Sequence, residues 1–243
     1  MNLELLSILK ESVQENNGCV SWNTWREKNP SEEIDFSGVE LCSQNLSKAN
    51  LSYIKFTNAN LSGSNLYDAY LAYSDFFSAD LSDANLKDVN FYKAHLHSAD
   101  LSDSDLTYAE LIQVNAAKAN FSGAKFDSAN CHLSNFTLAD LSYSILKKSD
   151  FSKAIFVKTN LTEAYLEEVI LNDAAIITSN WQNSEIKSIT CNRLILALSS
   201  DFTWHDDLTF NSEEELQELL SYLRENKSLK DLLKERDDWE DDW

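Results

Sequence analysis

Carboxylates are the side chains in this sequence whose spacing suits binding chemistry. Asp80 and Asp83 recur as Asp100 and Asp103 after an interval of twenty residues. Grouped carboxylates attract basic partners and can collect a hard cation, but calcium takes about six to eight oxygens, usually including backbone carbonyls. In a fold whose backbone carbonyls accept hydrogen bonds between strands, those carbonyls are not available as calcium ligands. We therefore predict no metal site, and keep a cation or small ligand bound on these carboxylates as an alternative.

Signals of catalysis are absent from the sequence. His95 and His97 lie beside Ser98, and Asp75 precedes His95 by twenty residues. No glycine-rich phosphate loop, nucleophile elbow or HExxH zinc motif accompanies them. A flat surface built from short repeats would also exclude water poorly. We predict no catalytic residues, no cofactor and no enzyme activity.

The composition restricts the partners and the compartment. Among 243 residues, 40 acidic side chains against 20 basic ones give a net charge of −20, which disfavours direct binding to nucleic acid and favours a basic partner. The first ten residues lack a signal-peptide pattern, and no apolar run approaches the roughly 18 residues that span a bilayer. The cysteines form no CxxC pair. We predict a cytoplasmic protein with free thiols and no membrane association.

A five-residue repeat organises the chain from about Ile34 to Cys191. The centre of each unit, at 36, 41, 46 and so on to 191, is Leu, Phe or Ile in nearly every case. The residue two before the centre is almost always small or β-branched, and because side chains alternate along an extended segment, these two positions share one interior. The outward positions, directly before and after the centre, are mostly polar. The corner position, two residues after the centre, holds all three glycines of the array and should turn the chain.

A second period of twenty residues sets the number of sides. Phenylalanine occupies centres that differ by multiples of twenty, namely Phe36, Phe56, Phe76, Phe136 and Phe156. Twenty residues per coil mean four sides, so these rings should stack in one column. About eight coils, at the parallel-strand spacing of about 4.8 Å, would make a packed rod about 38 Å long.

The units Ala79-Asp80-Leu81, Ala84-Asn85-Leu86, Ala99-Asp100-Leu101 and Ala139-Asp140-Leu141 resemble the consensus of the pentapeptide-repeat family. The resemblance covers about two thirds of the chain in one unbroken register. It implies an all-β solenoid, a right-handed quadrilateral parallel β-helix. It also implies protein partners, since some members of the family bind and protect bacterial type II topoisomerases by imitating DNA.

Helical patterns flank the array and predict caps at both of its ends. Residues 1–33 carry a helical apolar pattern and then a second short helix, which Ser21 would cap and Asn29-Pro30 would end. Residues 34–193 form the predicted β-helix. Residues 194–243 form an acidic C-terminal cap and tail, in which Ser212 and Glu215 form a capping box.

One side of the predicted rod is acidic. The acidic face, built on centres 41, 61, 81 and every twentieth residue onward, carries no lysine or arginine. Three interpretations stay open: solvated side chains bonded to local backbone, mimicry of DNA toward gyrase or topoisomerase IV, and binding of another basic protein. The candidate binding residues on this face are Glu40, Asp80, Asp83, Asp100, Asp103, Asp140 and Glu163.

Two further groups of side chains break the polar outward pattern. The tyrosine face, built on centres 51, 71, 91 and onward, carries Tyr53, Tyr70, Tyr73 and Tyr92, which are candidates for binding or for cover by a cap. Near the end of the array, outward residues become apolar, and something should cover them. A C-terminal helix that folds back, or a homodimer through the same surface, would use Ile145, Ile155, Val157, Ile170, Ile177, Leu216, Leu219, Leu220 and Leu223.

The sequence therefore favours a non-catalytic bacterial protein-protein interaction module. A rigid β-helical surface would meet a macromolecular partner, which is a basic or DNA-binding protein in the favoured case. The protein would be a monomer or a C-terminal homodimer. The DNA mimic that binds gyrase or topoisomerase IV, and the binder of a cation or small ligand, are the alternatives.

Overall fold

The computed structural model describes residues 3–15 and 18–191, together with the backbone of Ile195–Ala197. Two helices, α1 (Leu3–Ser12) and α2 (Val20–Lys28), precede a four-sided parallel β-helix. The longer pieces of strand are β1 (Ile34–Asp35), β2 (Ile54–Lys55), β3 (Ile145–Lys147), β4 (Ile155–Val157), β5 (Tyr165–Glu167), β6 (Val169–Ile170), β7 (Ala175–Ile177), β8 (Glu185–Ile186), β9 (Ile189–Thr190) and β10 (Ile195–Ala197).

Backbone pairing confirms the coil of twenty residues. Asp80 pairs in parallel with Asp100, and β4 pairs with β7 through Ile155 and Ala175. Most sides contribute one paired residue, since a corner every fifth residue keeps the straight part of each side short. The strands lengthen after residue 144, where outward positions carry residues such as Ile145 and Tyr165 that favour extended backbone. Pairing continues past residue 193, because β10 joins β7 in the same register.

The interior is filled by the centres and the small residues, as the repeat predicts. The column of phenylalanines is confirmed: the ring centroids of Phe56 and Phe76 lie 5.0 Å apart and nearly parallel. Phe136 and Phe156 stack in the same way at 5.5 Å. Phe136 also contacts Phe151 of the tyrosine face at 5.5 Å, so the later coils have an aromatic core that joins two sides.

Every corner position from Gly38 to Asn183 has a positive φ, between +49° and +71°. This left-handed conformation costs a residue with a side chain about 1–2 kcal/mol, yet most corners are not glycine. Thr178 and Leu138 adopt it too. Hydrogen bonds to the next coil hold the corners, as where the Asp83 amide donates to the Ser102 carbonyl at 2.9 Å. The corner prediction is therefore confirmed. The hydrogen bonds between coils impose the left-handed conformation on residues of every type found at the corners.

Helix α2 closes the open edge of the first coil with side chains in place of a strand. The Trp22 indole donates to the carbonyl of Asn50 at 2.8 Å, and the Asn50 amide donates to Oδ1 of Asn23 at 2.8 Å. Asn23 Nδ2 donates to the Lys48 carbonyl at 2.8 Å, and Arg26 Nη2 donates to the Ser52 carbonyl at 3.0 Å. The backbone groups at this edge are thus paired rather than left open to another chain.

The start of α2 differs from the sequence prediction. Ser21 lies inside the helix, which begins at Val20 after a left-handed residue, Cys19. The free amides are satisfied from the end of α1 and the residues after it: the Trp22 amide donates to the Ser12 hydroxyl at 3.1 Å, and the Ser21 amide donates to the Glu15 carboxylate at 3.0 Å. The prediction that Ser21 caps α2 was wrong, because Ser12 and Glu15 supply the acceptors.

Two buried hydroxyls give a first testable prediction. The Ser104 hydroxyl donates to the Leu101 carbonyl at 2.7 Å, whereas the buried hydroxyls of Ser64 and Ser149 have no hydrogen-bond partner among the described residues. Because alanine fills the same position in 15 of the 32 units, Ser64→Ala and Ser149→Ala should each raise the free energy of unfolding by about 1 kcal/mol. Urea denaturation measures this, and the control Ser104→Ala should lower it. A loss of stability in both alanine variants would contradict the assignment.

Candidate interaction surfaces

The carboxylates of the acidic face are fixed by the repeat itself. In Asp80, Asp100 and Asp140, Oδ1 accepts a hydrogen bond from the backbone amide two residues on, at 2.9, 3.0 and 2.9 Å. Within the described part of the chain, Oδ2 of these three residues has no hydrogen-bond partner. Each side chain is half-buried. One oxygen of each carboxylate is thus held by the backbone, and the other is left for solvent or a partner.

On the acidic face, the outward residues that precede the centres form a ladder in which asparagines on adjacent coils bond three of the acids. Asn60 Nδ2 donates to Glu40 Oε2 at 2.8 Å. Asn120 donates to Asp100 at 3.0 Å, and Asn160 donates to Asp140 at 3.0 Å. The ladder therefore holds its side chains at fixed heights along the rod.

The corner aspartates form a second row beside the ladder. Asp83 and Asp103 are exposed on adjacent coils, and the side chain of Asp103 lies against Gly123, where a Cβ would clash with Oδ1. The structure thus brings Asp80, Asp83, Asp100 and Asp103 together. The other predicted residues of this face, Glu40, Asp140 and Glu163, are separated from these four by coils that carry asparagine. The predicted set is therefore a stripe of acids along the rod, and its acids are most closely spaced in the middle.

The neighbouring face pairs four of its acids with lysines among the described residues. On this paired face, built on centres 46, 66 and every twentieth residue onward, each paired lysine lies on the same coil as its acid or on an adjacent coil. Hydrogen bonds from Lys147 and then Tyr165 lower the pKa of Glu167, and Glu167 raises the pKa of Lys147. Among described residues, no ion pair lies on the acidic face. The pairs on the paired face are Lys87–Asp105 at 3.1 Å, Lys147–Glu167 at 3.1 Å, Lys148–Glu168 at 3.9 Å and Lys187–Glu185 at 2.5 Å.

The histidines and cysteines do not assemble into a reactive site in the described ranges. His97 stacks on Phe77, with centroids 5.4 Å apart, and its Nδ1 lies 3.1 Å from the Ser98 hydroxyl. No group of three or more His, Cys, Asp or Glu residues there could hold a metal ion. All four cysteines are free, and burial raises the pKa of the Cys19 thiol to about 11. A thiol with such a pKa is a poor nucleophile at neutral pH.

The tyrosine face contains a contiguous aromatic cluster. The rings of Tyr53 and Tyr73 stack at 4.8 Å, and Tyr92 meets Tyr73 edge-on at 5.5 Å. Tyr53 and Tyr70 are 63% and 57% exposed. The sequence analysis missed two exposed rings on the same coil as Tyr70, those of Tyr67 and Phe77. Both residues occupy outward positions of the repeat, from which their exposure could have been predicted.

The apolar outward residues near the end of the array are largely covered. Ile155 and Ile177 are buried, and Ile145, Val157 and Ile170 are half-buried. Polar residues at the same positions of earlier coils are half-exposed or exposed. Whether a C-terminal helix or a second copy covers this patch stays a prediction, since the candidate residues Leu216, Leu219, Leu220 and Leu223 lie outside the described residues.

Neither helix in the described parts of the chain is long and apolar enough to cross a bilayer.

The family model of pentapeptide repeats matches the chain in eight copies, over residues 34–71, 69–107, 104–142 and 134–173. No curated protein matches the chain.

Solved structures resemble the array. A trypsin-treated variant of QnrB1, a plasmid-mediated fluoroquinolone resistance protein, superposes with a TM-score of 0.68 at 18% identity, over 79% of this chain and 98% of that one. HetL of Nostoc sp. strain PCC 7120, a pentapeptide repeat protein involved in heterocyst differentiation regulation, matches with a TM-score of 0.43 at 20% identity, over 68% of this chain and 94% of that one. At these identities the likeness shows the fold alone.

Proposed function

This chain belongs to the pentapeptide-repeat family, and we propose that it is a non-catalytic interaction module of a bacterial cytoplasm that presents its acidic face to a basic protein. One observation carries the proposal. Four acids on the paired face contact lysines, as in the 3.1 Å pair of Lys87 and Asp105, whereas no acid on the acidic face has a cation beside it among described residues. A cationic partner would supply the missing charge.

The arrangement suits recognition because it is organised before the partner arrives. Hydrogen bonds from backbone amides and asparagines hold Asp80 and Asp100, so little side-chain freedom is lost on binding. Complementary charge also steers encounter and raises association rates, with an effect that salt reduces. We therefore expect a fast, salt-sensitive complex.

Removing the dense middle of the stripe tests this function. In the variant Asp80→Asn, Asp83→Asn, Asp100→Asn and Asp103→Asn, the fold should persist, since Asn60 and Asn120 fill equivalent ladder positions and Asn58 and Asn183 fill equivalent corners. Affinity capture from the host, read by quantitative mass spectrometry, should show the main basic partner reduced by about tenfold or more. Raised salt should elute the same protein from the parent chain.

A matched control removes four charges elsewhere. Asp88→Asn, Asp105→Asn, Asp150→Asn and Asp173→Asn change two corners and two ladder positions on other faces. This variant should capture the partner as well as the parent does. Equal capture by all three proteins, or loss in both variants, would refute the role of the acidic face.

Mimicry of DNA toward gyrase or topoisomerase IV is the second candidate. It is supported by the two rows of carboxylates on one side of a rigid rod and by the shared fold with QnrB1, a fluoroquinolone resistance protein. A mimic should be displaced from its partner by duplex DNA, and it should restore supercoiling by gyrase in the presence of a fluoroquinolone. A partner that binds the chain and DNA together would favour a basic protein of another kind.

A further inference from the structure

One coil carries an unusual concentration of exposed aromatic rings. Tyr67, Tyr70, Tyr73 and Phe77, all within residues 61–80, are 40%, 57%, 41% and 44% exposed. Tyr53, on the preceding coil, joins them by stacking on Tyr73. These five rings, the aromatic belt, run across three of the four faces and leave out the acidic face. Aromatic side chains this exposed and grouped are typical of interaction surfaces.

We propose that the aromatic belt is a second interaction surface, which binds arginine side chains of a protein partner. This surface is separate from the proposed role of the acidic face. The tyrosine face and the acidic face lie on opposite sides of the rod, so two partners can be held at once. The chain would then act as an adaptor between them.

The negative charge around the aromatic belt favours the binding of a cationic group. Residues 61–80 include Asp68, Asp75 and Asp80 but no lysine, arginine or histidine. The Asp75 carboxylate is fixed beside the rings, because Oδ1 accepts from the Phe77 amide at 3.0 Å and Oδ2 accepts from the Thr57 hydroxyl at 3.3 Å. Asp68, at the corner between Tyr67 and Tyr70, is exposed. A guanidinium that stacks on a ring here has a carboxylate within reach.

The ring contacts show which surfaces are open to a partner. Tyr73 is enclosed between Tyr53 and the edge of Tyr92. The ring of Tyr92 already holds a cation, the ammonium of Lys93, at 5.8 Å from its centroid. Tyr70 makes no ring or cation contact among described residues, and Tyr53, which is 63% exposed, makes no such contact there except the one with Tyr73. These two are therefore the rings most available to an incoming cation.

Arginine fits this surface better than lysine. Its planar guanidinium stacks on aromatic faces and is more weakly hydrated than an ammonium, and its fork of donors can bond a carboxylate at the same time. Nucleic acid would also offer planar groups for stacking, but its phosphates would meet Asp68 and Asp75. The combination of rings and carboxylates thus selects an arginine-bearing protein segment.

Two peptides of equal charge test the proposal with the full chain. Fluorescence anisotropy would measure the binding of a nine-residue peptide of alternating arginine and glycine, and of its counterpart with lysine. We expect the arginine peptide to bind about fivefold or more tightly, since stacking adds to charge attraction. In the variant Tyr53→Ala and Tyr70→Ala the two affinities should become equal, while Tyr53→Phe and Tyr70→Phe should keep the preference.

Matched controls separate this surface from the acidic face. Tyr108 and Tyr143 are 61% and 59% exposed but lie outside the belt, so Tyr108→Ala with Tyr143→Ala should keep the preference for arginine. The four-aspartate variant of the acidic face should weaken both peptides in proportion and leave their ratio unchanged. Equal affinities for the two peptides in the parent chain, or an unchanged ratio after loss of Tyr53 and Tyr70, would overturn the proposal even if the acidic face binds as proposed.

Discussion

Replacing Trp22 with alanine should lower the free energy of unfolding by about 3–5 kcal/mol, because it removes the largest side chain of the N-terminal cap from a fully buried site. The indole lies 6.0 Å from Phe36, the first ring of the column, and 5.5 Å from Trp25. Its Nε1 also donates to the Asn50 carbonyl. The alanine variant therefore loses both the packing of the indole and the hydrogen-bond donor to the Asn50 carbonyl.

The damage should be local as well as global. In a solenoid each coil contacts only its neighbours, so loss of the cap should first open the coil that it covers. Hydrogen exchange should accelerate in residues 36–55 and change little beyond residue 100. Urea denaturation gives the total loss. Trp22→Phe is the control, since it keeps much of the packing without the donor and should lose less than half as much. A loss below about 1 kcal/mol in Trp22→Ala would mean that the cap does not hold the edge.

The array could be predicted from sequence almost residue by residue because its contacts are periodic. A side chain at one centre meets side chains twenty residues away, so the stack of Phe56 on Phe76 follows from counting. The same counting placed Asp80 beside Asp100 and put the corners at every fifth residue. It would also have found the pair of Lys87 and Asp105, which are 18 residues apart on adjacent coils, had ion pairs been sought across the repeat.

The existence of an N-terminal cap could be predicted, but its contacts with the first coil could not, because they are not periodic. Nothing in the spacing of Asn23 and Arg26 says that they bond the carbonyls of Lys48 and Ser52. The acceptor for the Ser21 amide is Glu15, in the segment between the two helices, and its position depends on how those helices pack. The candidate site falls between these cases: the repeat fixes which carboxylates share a face, while recognition depends on a partner that the chain does not encode.

Replacing Phe136 with alanine tests the aromatic core of the later coils. Phe136 is fully buried and meets Phe121, Phe151 and Phe156, with centroids 5.7, 5.5 and 5.5 Å away. Because the hydrogen bonds between coils on every side prevent collapse into the space left behind, the free energy of unfolding should fall by about 3–5 kcal/mol. Thermal and urea denaturation measure it. Phe136→Leu should cost much less, since Leu96 fills the same position of the column two coils earlier.

The location of the loss distinguishes a chain of coupled coils from a single cooperative core. If coupling is between neighbours, hydrogen exchange in Phe136→Ala should accelerate around residues 116–160, while residues 41–90 keep the protection of the parent. The acidic stripe from Asp80 to Asp103 would then survive and still bind its partner. Uniform acceleration from the cap to β9 would instead show that the rod unfolds as one unit. The carboxylates at its middle would then depend on packing 30 residues or more away in sequence.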